Sequence, residues 1–195
     1  MTTRVEKAEA TKAQICVSAK IVFVDKGYSG TKVEDIATHA QVSKGSIFHH
    51  YNDKQQLALQ VARELSSDNL DSLDHISKEQ PSFDELLLFL KQQVKAPSNT
   101  RWSATQLLLE LLLDERERSG REYFTLVAKE LVDPFYHKLG DVFNTLGFSS
   151  PNITARLFLS LLDGIALHLT LENRIGDDKL IDDLFSVIKE LFTPV

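Results

Sequence analysis

Residues 31–54 read TKVEDIATHAQVSKGSIFHHYNDK, and this stretch decides the fold. Val33, Ile36, Ala37 and Ala40 recur at helical spacing and give its first half one inward face. Thr31 and Glu34 stand in the Thr-x-x-Glu relation of a capping box, which predicts a helix start at Thr31. Gln41-Val42 leaves room only for a short turn. Ser43 is suited to cap the next helix, which runs to about His50 and turns Ile47 and Tyr51 to the core. Asn52-Asp53 interrupts the pattern, and Asp53 can cap again. Two short helices around a tight turn, preceded by a third, predict a helix-turn-helix.

Working outward, residues 11–26 form the preceding helix, with Ile15, Ala19, Val22 and Phe23 on one face and Gly27 at its end. A fourth helix over about 53–77 carries Leu57, Val61, Leu65 and Leu70 along one side. Further on, Pro81, Pro97, Gly120, the stretch 147–151 and the stretch 176–178 separate segments that all have helical periodicity. Ser150-Pro151 reads as a cap followed by proline at the first helical position. No strand pattern competes. The predicted fold is all-α: a three-helix module at 1–55, a connecting fourth helix, and a larger helical bundle at 56–195.

The charge is unevenly placed. The chain has 195 residues and a net charge of −6. Residues 1–65 hold nine Lys+Arg against seven Asp+Glu, a net +2, so the remainder carries −8. A weakly basic head on an acidic body permits contact with a polyanion at the head, where local field decides binding. Eight Gly and five Pro are few for this length and favour long helices. Cys16 is the sole cysteine, which excludes an intrachain disulfide and fits a reducing compartment; its neighbours Ile15, Val17 and Ala19 predict a core thiol.

The N-terminus is polar and lacks the apolar core of a signal peptide. The apolar runs at 86–90 and 157–162 stop far short of the roughly 20 residues that span a bilayer. These features predict a cytoplasmic protein with no membrane partner. His49, His50 and Asp53 do not converge as metal ligands, because adjacent helical residues project in different directions. With no metal-binding His-Glu-x-x-His, Walker loop or Gly-x-Ser-x-Gly, the sequence predicts no metal, no cofactor and no enzyme. A helical-bundle enzyme or carrier is the alternative.

The residues Lys26-Gly27-Tyr28, Val33 to Ala37, Val42-Ser43-Lys44-Gly45-Ser46, His50-Tyr51 and Lys54 together resemble the DNA-binding domain of the TetR family of bacterial transcriptional regulators. Leu161-Leu162-Asp163-Gly164-Ile165-Ala166-Leu167 looks like the penultimate helix of that family. The resemblance implies a regulator, by default a repressor, that binds a palindromic double-stranded operator as a homodimer and is released by a small-molecule inducer. Ligand in the body would then shift the population of head spacings through the fourth helix.

Physical roles can be set beside the resemblance. Ser43 caps the recognition helix, whose positive end favours phosphate. Lys44 suits either guanine acceptors or a phosphate, and Gly45 clears the way for close approach at a helix cost of roughly 1 kcal/mol. Ser46 can bond base edges or phosphate. Phe48 can touch a thymine methyl or, alternatively, sit in the core. Lys32 and Lys54 are placed to clamp the backbone on either side, and the resemblance assigns phosphate contacts to His49 and Tyr51. Gln41 stands where these turns commonly have Gly, a position that needs positive φ.

In the body the resemblance implies pairing of residues 121–146 and 152–173 with a second subunit, burying Leu157, Leu161, Ile165 and Leu169. It also implies an inducer pocket. The candidates are polar or aromatic residues within apolar runs: Trp102, Gln106, Glu110, Tyr123, Tyr136, His137 and His168. Glu110, between two leucine triplets, must face solvent or meet a cationic partner or ligand, because an unpaired buried carboxylate costs several kcal/mol.

Overall fold

A computed structural model describes residues 3–95, 107–111, 113, 127, 129–172, 174 and 176–192. The described residues form helices and turns, with no strand among them. In chain order the helices are α1 (Arg4–Gly30), α2 (Val33–His39), α3 (Lys44–His50), α4 (Lys54–Lys78), α5 (Phe83–Lys95), α6 (Asp133–Thr145), α7 (Pro151–Leu171) and α8 (Asp178–Leu191). They fall into two compact units. The described residues 3–65 make the first, joined by 107–111 and 113; the second comprises the described residues among 66–95 and 127–192. Where the sequence pattern divides the chain at 55/56, the packing divides it at 65/66, inside α4.

The first unit is built around the faces the sequence predicts. Ile15, Ala19, Val22 and Phe23 of α1, Ile36 and Ala37 of α2, Ile47 of α3, and Leu57, Val61 and Leu65 of α4 are all buried. Cys16 is buried as well, and burial together with the Glu64 carboxylate pushes its thiol up to about 12, so it stays protonated and inert. α1 starts seven residues before the expected position. Thr3 and Glu6 form a reciprocal capping box there, with Thr3 N–H donating to Glu6 Oε2 at 2.7 Å and Glu6 N–H to Thr3 Oγ1 at 3.2 Å. Gly27, at φ 70°, breaks α1 as expected before a last turn over residues 28–30.

One cap is displaced. α2 is capped at Lys32, not Thr31: the Lys32 N–H donates to Asp35 Oδ2 at 2.9 Å. Thr31 is buried, and its hydroxyl donates to the Gly27 carbonyl at 2.6 Å, so it closes α1 instead of opening α2. At the other end of α2, Gln41 takes φ 53°. Its N–H donates to Thr38 O and that of Val42 to Ala37 O, the paired bonds of a left-handed helix cap that normally carries Gly. The positive φ expected at this position is therefore present with a non-glycine residue in it.

The second unit has one core, in which Leu73, Leu86, Leu90, Leu139, Phe143, Phe158, Leu162, Ile181 and Phe185 are buried together. Phe143 organises it, with Phe148 at 4.8 Å and Phe158 at 5.4 Å between ring centroids, both edge-on. Lys95 and Lys91 of α5 reach Asp182 of α8 at 2.8 and 3.2 Å, and Lys138 of α6 pairs with Asp74 of α4. α7 begins at Pro151 as the sequence predicts. Among the described residues it is the one helix long and apolar enough to cross a membrane, contrary to the reading of short apolar runs. Its Ala155, Phe158, Leu159, Leu162 and Leu169 are spent in the core of the unit.

Candidate nucleic-acid interface

The surface of the first unit is set by α3. Ser43 accepts the Ser46 N–H at 3.0 Å and fixes the helix start. Ile47 anchors the inner face, so the opposite face is turned out: Lys44, Gly45, Phe48 and His49 are exposed and Ser46 is half-buried. Phe48, at 42% exposure, is not a core residue. Around it Lys44 holds its ammonium 5.8 Å from the ring centroid and pairs with Glu34 of α2. Lys32, at the cap of α2, is exposed on the neighbouring turn.

Gly45 has open space. A Cβ built there would meet nothing nearer than Ser43 Oγ, at 3.7 Å, an ordinary contact. Nothing in the described structure calls for glycine at this position. Glycine leaves this side of the first turn of α3 without a side chain.

α3 is held rigidly behind this face. The Gln14 side-chain amide donates to Ala40 O at 2.8 Å, tying α1 to the turn, and Lys26 pairs with Asp35 at 3.0 Å. Two residues expected to contact phosphate belong to this support. Tyr51 is only 6% exposed, with its hydroxyl directed to Lys12 O at 3.5 Å and its acidity suppressed by burial and then by Cys16. Its ring faces inward as expected, but its hydroxyl does too. Lys54 donates to Tyr28 O at 2.9 Å and Thr31 O at 3.1 Å, and its ammonium lies 4.1 Å from the Tyr28 ring centroid. In this structure it braces the loop before α2. Glu34 is the surface residue that sequence reasoning used only as a cap; its distance from Lys44 in sequence hides the pairing.

The body candidates separate. Trp102, Gln106 and Tyr123 lie outside the described residues. Glu110 belongs to the first unit, where it accepts the backbone N–H groups of Tyr28 and Ser29 at 2.6 and 3.1 Å. Tyr136 is half-buried with the Arg156 guanidinium 4.6 Å from its ring centroid, and His137 is exposed. His168 is exposed on an open groove of about 420 Å³, lined also by Gly164, Ile165 and Leu184. Within the second unit, Tyr136 and His137 are not among the residues lining the groove on which His168 lies.

The stripe expected at the subunit interface also splits. Leu157 is 60% exposed whereas Leu169 is 4% exposed and part of the core, with Leu161 and Ile165 partly buried between them. A strict four-residue step drifts about 40° per step around a helix with 3.6 residues per turn, so three steps carry the row from surface to core. The exposed apolar residues of α7 are Ile153, Leu157 and Leu167.

Comparison with known proteins places this geometry. Residues 15–61 match the family described as bacterial regulatory proteins, tetR family. The HTH-type transcriptional regulator TtgR of Pseudomonas putida is 32% identical over 117 residues, which cover 60% of this chain and 50% of that protein. The HTH-type transcriptional repressor DhaR of a Mycobacterium species is 45% identical over 47 residues, 24% of each chain. The chain thus spans about half or less of the length of these relatives. A TetR-family regulator from Agrobacterium tumefaciens superposes with a TM-score of 0.73 over 95% of this chain and 99% of its own, at 15% identity, which shows a common fold. The first two are named as a transcriptional regulator and a transcriptional repressor. The α1–α3 geometry and the match over residues 15–61 make this part of the chain similar to the tetR family of bacterial regulatory proteins.

Proposed function

We propose that the chain is a transcriptional repressor that binds a palindromic double-stranded operator as a homodimer and is released by a small-molecule inducer. The observation that carries the reading is the outward face of α3, with Lys44, Gly45, Ser46 and Phe48 presented together and a glycine that nothing inside the protein requires. Lys44 and Ser46 supply donors for base edges, Phe48 an apolar contact for a thymine methyl, and Ser43, Lys32 and His49 the flanking phosphate contacts. Tyr51 and Lys54 act from behind by holding the helix in place.

A single short helix with a head charge of +2 supplies little affinity. Two such helices about 34 Å apart, one DNA turn, read a palindrome far better than one. The exposed Ile153, Leu157 and Leu167 of α7 give the second unit an apolar face for a second copy. A DNA partner and the lone reduced cysteine agree with a cytoplasmic site of action. The inducer part of the reading rests on the family resemblance and on the larger second unit.

Selection of duplexes from a random pool by the full chain, followed by anisotropy titration, tests this. The expected result is enrichment of an inverted repeat bound at least about a hundredfold more tightly than random duplex, with affinity falling steeply as salt rises. Enrichment of no sequence, or equal binding to all, would overturn the reading. Leu157→Glu should give a monomer that keeps its fold and loses the inverted repeat.

A further inference from the structure

The carboxylate of Glu110 sits on two consecutive backbone N–H groups, Tyr28 at 2.6 Å and Ser29 at 3.1 Å, where α1 breaks at Gly27. Consecutive amides converging on one oxygen make a small anion-binding concavity, and a charged acceptor strengthens each bond. Gly27 is fitted to the arrangement in two ways. Its φ of 70° suits glycine, and a Cβ there would stand 2.8 Å from Glu110 Oε1, so any larger residue would push the carboxylate away. From the other side Lys54, the first residue of α4, donates to the carbonyls of Tyr28 and Thr31. The loop from Gly27 to Thr31 is therefore gripped by an anion on its N–H groups and a cation on its carbonyls. This loop leads directly into Lys32 and α2, and α2 carries the turn that orients α3.

We propose that Glu110 is a positioning residue for the DNA-binding surface: from the helical segment 107–111 it locks the 27–31 loop in the geometry that presents α3. The segment is anchored to the same unit by Leu107 and Leu111, both buried, so a displacement of its backbone is transmitted to the loop through the carboxylate. Glu110 bonds the loop at Tyr28 and Ser29, so its proposed action on DNA binding runs through loop position. The inference rests on the proposed operator binding for its functional consequence, and on the structure alone for the lock.

The test compares wild type, Glu110→Ala and Glu110→Gln in the full chain. The duplex is the one the wild type enriches from a random pool, and hydrogen exchange is followed at the Tyr28 and Ser29 amides. With Glu110→Ala, exchange at both amides should rise at least tenfold and affinity for the selected duplex should fall about tenfold. Affinity for random duplex at low salt should stay within twofold. Glu110→Gln, which keeps an acceptor oxygen without the charge, should recover part of both losses and covers the case in which the Ala variant fails to fold. Unchanged amide exchange overturns the lock, and changed exchange with unchanged operator affinity overturns the positioning role. A wild type that prefers no duplex defeats the operator reading instead, while the exchange measurement still decides the lock.

Discussion

The ammonium of Lys44, in the first turn of α3, is paired with the carboxylate of Glu34 on α2, and both side chains are more than half exposed. A surface pair of this kind is screened by solvent and contributes little, whereas a good bidentate base contact is worth roughly 1–3 kcal/mol of discrimination. In the proposed complex DNA can therefore take Lys44 from Glu34. Glu34 is then a negative charge left facing phosphates. Glu34→Gln should tighten binding to all duplexes several-fold at low salt, with the gain shrinking as salt rises. Weaker binding by Glu34→Gln would mean that the carboxylate aims Lys44 instead of restraining it.

Gly45 separates folding from binding. In an exposed helix Ala is favoured over Gly by about 1 kcal/mol, and the added methyl meets only an ordinary contact with Ser43 Oγ. Gly45→Ala should raise the denaturation midpoint of the first unit while lowering operator affinity at least tenfold. A variant that is both more stable and equally able to bind would remove α3 from close contact with DNA.

Lys54 distinguishes brace from clamp. Hydrogen bonds from a charged donor are worth about 1.5–3 kcal/mol, and the ammonium also lies against the Tyr28 ring. Because Lys54 is partly exposed, Lys54→Met should destabilise the first unit by about 1–2 kcal/mol in urea unfolding. Unchanged stability, with binding weakened uniformly and the salt slope reduced by about one, would restore the phosphate role read from the sequence.

Gln41 holds a left-handed conformation at φ 53°, which costs a side-chain-bearing residue about 1–2 kcal/mol. Gly removes that cost but loosens the unfolded chain by about 0.4–1 kcal/mol. Gln41→Gly should therefore stabilise the first unit by about 0.5–1 kcal/mol. A loss of stability in urea unfolding would show that the Gln side chain contributes contacts that outweigh the strain.

The Gln41 strain was legible through the family resemblance, since Gln41 stands where such turns commonly have Gly. The inward faces of α1 to α4 were legible in the residues themselves, because periodicity records burial directly. What periodicity does not record is a partner that is backbone. Glu110 and Lys54 both bond main-chain groups of the 27–31 loop, which have no sequence signature, so one was read as facing solvent, a cation or a ligand and the other as a phosphate contact. Thr31 and Glu34 fit a capping box by pattern, yet Lys32 and Asp35, one residue on, provide the acid at the same spacing, and the Gly27 carbonyl claims the Thr31 hydroxyl. Leu169 was placed at the subunit interface with Leu157 by the resemblance, yet a row of every fourth residue spirals on a helix and carries Leu169 into the core.

Asp74 gives the second unit a distinct acid response. Its carboxylate is held by Lys138 of α6 first and by Lys78 of α4 second, which lowers it from 3.8 to about 2. A carboxyl with a lowered value in the folded state binds fewer protons there than in the unfolded chain. Its contribution to stability is therefore complete above about pH 4 and is lost as pH falls toward 2. Urea midpoints measured from about pH 5 to pH 2 should decline across that interval in the wild type, and Asp74→Asn should lower the midpoint at the upper end while flattening the decline. Lys138→Met should do the same, since it removes the larger of the two causes. An undiminished decline in both variants would assign the acid sensitivity of this unit to the Lys91, Lys95 and Asp182 cluster between α5 and α8, where the carboxylate is also lowered by its lysines.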